Sequence, residues 1–199
     1  MEKKNSLILL TRRIRLRELR EEDWQAMHEY ASDPQVVEYL PFGPNEEKDT
    51  RDYLQKEIAN QIAEPRMAYC LAIIQRNEDR LIGTCRITIT SPENQEGEIG
   101  YTLNRQYWGH GYMTEAAQKV ITFGFKKLGL HRIFATCDYR NTRSYRVMEK
   151  VGMQKEGLLR GYKFFKGIRH DCFIYSILKP DWQKKQEESS GKAGLSNNV

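Results

Sequence analysis

Apolar residues along the chain recur either at every second position or at every third and fourth, and the switches between these spacings mark strands and helices. Ile14 and Leu16 alternate with Arg13, Arg15 and Arg17, which predicts a first strand with one buried and one solvated face. Glu21-Glu22-Asp23 places acids at the start of a helix carrying Trp24, Met27 and Ala31, and Asp33-Pro34 ends it. After Pro41-Phe42-Gly43-Pro44, Asn45 is positioned to cap a helix with Leu54, Ile58 and Ile62 on one face, so this region reads as an inserted helical cap. Met67 to Ile74 and Leu81 to Thr90 predict a hairpin, and the apolar run Ile99 to Leu103 predicts the strand that follows the polar turn Ser91 to Glu96.

The pattern then changes period. Met113, Ala116, Ala117, Val120, Ile121, Gly124, Phe125 and Leu128 form one helical stripe, with Gly129 as its C-cap. His131 to Cys137 predicts another strand, and Asn141 caps a short helix through Tyr145, Met148 and Val151 to Gly152. Lys155 to Phe165 and Arg169 to Leu178 predict a last strand pair around Lys166-Gly167. From 183 to 199 almost no apolar residue offsets the entropy of ordering, and the expectation is a disordered polar tail.

Between the Ile99 to Leu103 strand and the long helix lies Gln106-Tyr107-Trp108-Gly109-His110-Gly111-Tyr112-Met113. A helix start leaves its first N–H groups without intrahelical partners and carries partial positive charge, so it can hold a phosphate. Glycines there tolerate φ > 0 and let a ligand lie against the main chain. Alone, two glycines also suit an ordinary loop.

The chain has 199 residues, of which 39% are hydrophobic and 30% charged, which suits one domain with a substantial core. A net charge of +5, with Lys and Arg interspersed among Asp and Glu, does not imply a nucleic-acid partner. Arg12 to Arg17 reads as the solvated face of a half-buried strand. Cys70, Cys85, Cys137 and Cys172 are far apart without paired metal-ligand spacing, so the reading is reduced core thiols and no metal site. No apolar run approaches membrane-spanning length and the first residues lack a signal region, which predicts a cytoplasmic protein without a membrane partner.

With two strand-to-helix units in order, the sequence resembles the GNAT superfamily of acyl-CoA-dependent N-acetyltransferases. Gln106-x-x-Gly109-x-Gly111 matches its pyrophosphate motif, and Asn141-x-x-Ser144 through Lys150-x-Gly152-Met153 matches its second cofactor motif. Arg15-Leu16-Arg17, Asp33-Pro34, Tyr112-Met113-Thr114-Glu115-Ala116 and the segment from Glu156-Gly157 through Asp171 to Tyr175 resemble the RimJ/RimL branch, which includes enzymes acetylating ribosomal-protein N-termini. The resemblance covers 9–181 as one domain. It implies an α/β (α+β) fold: a mixed, strongly bent sheet with helices on both faces, whose central parallel strands splay. It also implies acetyl-CoA as donor, with pantetheine along Tyr101, Thr102 and Leu103, pyrophosphate at the backbone of Gly109, His110, Gly111, Tyr112 and Met113, and Asn141 against pantetheine.

The implied reaction is direct attack of a primary amine on the thioester, with no covalent enzyme intermediate. The base expected is Glu98, a partly desolvated carboxylate on the strand flanking the splay, although a strand-end Glu paired with Arg or Lys would look the same in sequence. Many superfamily members place an acidic tyrosine where this chain has Met148, so the acid role passes to Ser144, ahead of Tyr145. Asp138, Glu156, His170 and Asp171 are reserve ionisable groups. The acceptor is a protein N-terminus or a small-molecule amine such as a polyamine, aminoglycoside or amino acid. Met148 also admits a CoA-binding module without chemistry, and a homodimer is compatible with the sequence.

Overall fold

The computed structural model describes residues 7–195. Eight strands form one sheet in the order β1-β2-β3-β4-β5-β6-β8-β7. They are β1 (Ile8–Leu10), β2 (Ile14–Glu18), β3 (Ala68–Gln75), β4 (Arg80–Ser91), β5 (Glu96–Leu103), β6 (Arg132–Asp138), β7 (Gln154–Phe165) and β8 (Ile168–Leu178). The helices are α1 (Trp24–Ala31), α2 (Pro34–Val37), α3 (Glu47–Asn60), α4 (Tyr112–Lys127), α5 (Thr142–Lys150) and α6 (Lys179–Leu195).

Period-two alternation assigns the layers. In β3, Leu71 and Ile73 join Ile14, Leu16, Ile87, Ala117 and Val120 in a core beneath α4, whereas Cys70, Ala72 and Ile74 pack with Met27, Tyr30 and Leu54 of α1 and α3 on the opposite face. A strand buried on both faces needs a continuous apolar run, and Ala68–Gln75 has one. Gly124 of α4 abuts Ile87 and Ile133, where a Cβ would collide, so this glycine sets how closely the helix approaches the sheet.

Among the described residues the one parallel pair of the sheet is β5 with β6, and its register covers only Glu96↔Arg132, Gly97↔Ile133 and Glu98↔Phe134. Beyond Glu98 the strands part, while β5 stays paired to β4 up to Leu103 and β6 stays paired to β8 up to Asp138. The expected splay therefore opens at Glu98 and leaves one edge of Ile99 to Leu103 without a strand partner.

Four local expectations change. A strand, β1, precedes Ile14 and pairs with β2; its exposed Ile8 and Leu10 give no alternating pattern. The α3 helix is capped by Glu46 rather than Asn45: Asp49 accepts from the Glu46 N–H, so a capping box formed by two acids replaces the single Asn. Ile62 lies past the end of α3 and is exposed, because the helix stops before its stripe returns to the core. Helix α6 covers Lys179–Leu195 and so overlaps 183–195, for which the composition predicts disorder; buried Trp182 packs on Phe125 at its start. Residues 196–199 of the expected tail lie outside the described residues.

The basic face of β2 is ion-paired. Arg13 pairs with Glu115, Arg15 with Asp79 and Arg17 with the buried Asp23. All four cysteines are buried as free thiols.

Candidate active site

Two cavities meet at the splay. The first, about 340 Å³, runs between the free edge of β5 and α5, lined by Tyr101, Thr102, Leu103, Gly109, Gly111, Met113, Asn141 and Ser144. The second, about 220 Å³, lies on the other side of Tyr101 and is lined by Glu98, Thr136, Asp138, Lys163, Arg86 and Tyr53 among others. Tyr39, Leu40, Tyr101, Asn141 and Ser144 line both, and so form the boundary between them.

The glycine loop turns its backbone donors toward the first cavity without intrahelical partners. Gly109 and Gly111 adopt φ of 81° and 78°, where a side chain is strained, and Gly111 is the N-cap of α4. Among the described residues, the N–H groups of Gly109 through Thr114 have no acceptor, and Glu115 is the first to bond, to Gly111 O at 3.1 Å. Six adjacent unpaired donors at the positive end of a 16-residue helix suit a diphosphate. The loop is braced from behind: Glu115 accepts from Thr11, the Arg13 N–H and Arg13 Nε, and Arg13 Nη1 donates to His110 O at 2.8 Å. His110 and Tyr112 are not among the residues lining the first cavity, and Arg13 lies over the Tyr112 ring.

Helix α5 forms the opposite wall. Asn141 accepts from the Ser144 N–H at 3.1 Å as N-cap. Arg143, Arg146 and Lys150, spaced i, i+3 and i+7, bring three cations to the first cavity. The motif reading named Lys150 but passed over Arg143 and Arg146, although the helical spacing from Asn141 to Gly152 would have aligned all three.

Ser144 sits where the cavities meet. Tyr101 Oη donates to the Ser144 carbonyl at 2.9 Å, and Ser144 Oγ lies 3.4 Å from Tyr101 Oη. Burial pushes the Tyr101 phenol up, so it stays a neutral donor at working pH. Tyr145 faces elsewhere and packs against Phe173 and Tyr175. Met148 is buried in the core and lines the second cavity without a polar hydrogen to offer. Cys137 also lines that cavity, but burial pushes its thiol up to about 11, which argues against a nucleophile.

Glu98 projects into the second cavity from the fork of the splay. Thr136 Oγ1 donates to Glu98 Oε1 at 3.2 Å and accepts from Lys163 Nζ at 2.9 Å. Glu98 thus has no Arg or Lys ion-pair partner among the described residues. Of the reserve groups, Glu156 is held by Arg132 and Ser176, and Asp171 accepts from the Gly161 N–H, so both brace strands.

Asp138, at the end of β6, is 3% exposed and receives Arg140 Nε, Arg140 Nη2 and His170 Nδ1. Burial alone would raise its carboxyl, but the hydrogen bonds from the Arg140 side chain and main chain and from His170 outweigh it and bring the pKa from 3.8 to about 2. A depressed pKa contributes stability above 3.8 that is lost as the pH falls through about 2. Arg140 is half exposed, which screens the pair, so Asp138→Asn is expected to cost about 1–2 kcal/mol at pH 7. Urea titrations of both proteins should show the gap closing as the pH falls from 3.8 to about 2; a gap constant across that window would contradict the assignment.

Among the described residues no cluster of His, Cys, Asp and Glu is arranged to hold a metal, and no helix is long and apolar enough to cross a membrane. A family model described as an acetyltransferase (GNAT) domain matches residues 13–154. An uncharacterized N-acetyltransferase of Bacillus licheniformis, p20, is 38% identical over 175 residues, covering 87% of this chain and 97% of its own. The crystal structure of a GNAT-family acetyltransferase from Bacillus anthracis is similar with a TM-score of 0.77 and 35% identity, over 86% of this chain and 98% of that one. RimJ of Mycobacterium smegmatis, solved in complex with CoA-disulfide, shares the fold with a TM-score of 0.75 and 24% identity, over 84% of this chain and 83% of that one.

Proposed function

Since the chain belongs to the GNAT acetyltransferase family, whose members use acetyl-CoA, we propose that it transfers acetyl from acetyl-CoA to a primary amine by direct attack, with Glu98 as base and Ser144 as hydrogen-bond donor to the leaving sulfur. The observation that carries this reading is the meeting of two cavities at Tyr101 and Ser144, one bearing the anion cradle and the other the carboxylate.

The first cavity fits the donor. The unpaired N–H groups of Gly109 to Thr114 would hold the pyrophosphate, and the free edge of Tyr101 to Leu103 would pair with the pantetheine arm, whose other side meets Asn141. The three cations of α5 add charge for the remaining phosphate. Acetyl-CoA supplies an activated acyl group and a thiol leaving group.

The protein's own part is proton handling and position. Glu98 takes the proton that the amine sheds as its nitrogen bonds to the acyl carbon, directly or through one water. The C–S electron pair leaves with sulfur. A serine hydroxyl is too weak an acid to surrender its proton outright to a thiolate, so Ser144 stabilises the growing charge by hydrogen bonding, with Tyr101 orienting it. The thiolate finally takes a proton from solvent while Glu98 returns one to solvent, giving an N-acetyl amine and CoA thiol.

Thiol release from acetyl-CoA with peptide N-termini, polyamines, aminoglycosides and amino acids tests the reading directly. Turnover with at least one amine class is expected. Tight CoA binding by calorimetry without turnover of any amine would instead leave a CoA-binding module, the alternative raised by Met148.

A further inference from the structure

The charges of the second cavity do not cancel locally. Four of its lining residues carry a formal charge: Arg86, Glu98, Asp138 and Lys163. Arg86 is matched by the buried Glu57 at 2.7 Å, and Asp138 by Arg140 at 2.7 Å together with His170. Glu98 and Lys163 remain, neither within ion-pair distance of an opposite charge among the described residues, and both hydrogen-bonded to the same Thr136 hydroxyl. One carboxylate and one ammonium thus sit no more than about 6 Å apart on the cavity wall.

Alternation along β7 explains why the ammonium faces inward. Lys163 and Phe165 line the cavity, whereas the intervening Phe164 and the preceding Tyr162 are exposed. Tyr39, Leu40, Pro41 and Phe42, from the segment between α2 and α3, add apolar surface. At about 220 Å³ the space falls below the ordinary range of roughly 300–1,000 Å³ for drug-sized ligands, which favours a small acceptor.

We propose that the acceptor is a small zwitterion of the amino-acid type, whose amine lies against Glu98 and whose anionic group, one or two atoms away, pairs with Lys163. This rests on the acetyl-transfer reading and narrows its acceptor. A protein N-terminus would bring the amine but place a neutral peptide group opposite Lys163, leaving its ammonium without an anionic partner. A polyamine would set a second cation there. Lys163 is a specificity-determining residue in this arrangement, and Thr136 fixes its spacing from the base.

The test compares, at saturating acetyl-CoA, free L-amino acids with their amides and decarboxylated amines, leucine, leucinamide and isoamylamine forming one such series. Loss of the carboxylate should lower kcat/KM by about 30- to 100-fold, the scale of a charge-assisted hydrogen bond in a desolvated site. Lys163→Gln should reduce that preference to within about threefold, and Lys163→Arg should restore most of it. Calorimetry on the CoA-loaded protein adds a readout independent of chemistry: leucine should bind, and leucinamide should bind much more weakly. Amides or peptide N-termini that match or exceed the free acids across the panel would overturn the proposal, even with acetyl transfer intact. Carboxylate-dependent binding without thiol release would support the acceptor site and refute the transfer reading. Neither binding nor turnover of any amino acid would refute the acceptor site. The wild-type series decides the matter even if the Lys163 variants fold poorly.

Discussion

Glu98→Gln is expected to lower kcat at neutral pH by about 10²- to 10³-fold, because removing a positioned general base costs on the order of 10²–10⁴. The amide keeps the size of the side chain and can still accept from Thr136, so the loss reports proton transfer and not collapse of the cavity. Two further measurements separate the roles. The Kd for CoA should stay within about twofold, since the cradle lies across Tyr101 from the carboxylate. The pH–rate profile of Glu98→Gln should also differ from that of the wild type. An unchanged profile would remove Glu98 from the chemistry.

The second large effect is expected at the cradle. Gly111 combines a φ of 78° with the N-cap position of α4, and a β-branched side chain there cannot adopt that backbone without strain. Gly111→Val should weaken CoA binding by about 10- to 100-fold, with an estimated conformational cost of about 1–2 kcal/mol at that residue. A Cβ at Gly111 meets only Arg13 Nη2 at 3.5 Å, so the lesion is conformational and not steric crowding of the core. Calorimetric titration with CoA checks the first effect and thermal unfolding the second. Wild-type affinity would mean that the anion is held by the α5 cations alone.

Much of the donor side was legible along the chain, because its parts are local in sequence. A strand, two glycines and an amphipathic stripe within Gly97 to Leu128 can each be inferred from neighbours one to four residues away. The same holds for Asn141, whose side chain caps α5 by bonding the N–H of Ser144 three residues on. The expected splay was harder to infer from residues alone: only the short β5 to β6 register, ending at Glu98, shows where it opens. Glu46 as the cap of α3 was missed because one carboxylate in a reciprocal pair with Asp49 looks like ordinary surface charge. Strand β1 was missed because an edge strand with exposed apolar side chains carries no alternation to detect.

The second cavity belongs to the other category. Its lining comes from the segment after α2, from α3, β4, β5, β6, α5, β7 and β8, residues as far apart in sequence as Tyr39 and Cys172. No periodicity predicts that Lys163, one of the two lysines of β7, shares a threonine hydroxyl with Glu98, since that depends on β6 and β7 flanking β8. The sequence by itself determined the local hydrogen-bonding frames: the glycine turn whose φ values leave six donors unpaired, the helix it opens, and the capped α5 that faces it. Those follow from backbone sterics and side-chain period, which act over a few residues. Only the tertiary structure decided which charges are neutralised and which remain, because compensation of Arg86 by Glu57 is a property of packing between distant elements. That residue of uncancelled charge, Glu98 beside Lys163, is what gives the second cavity its chemistry.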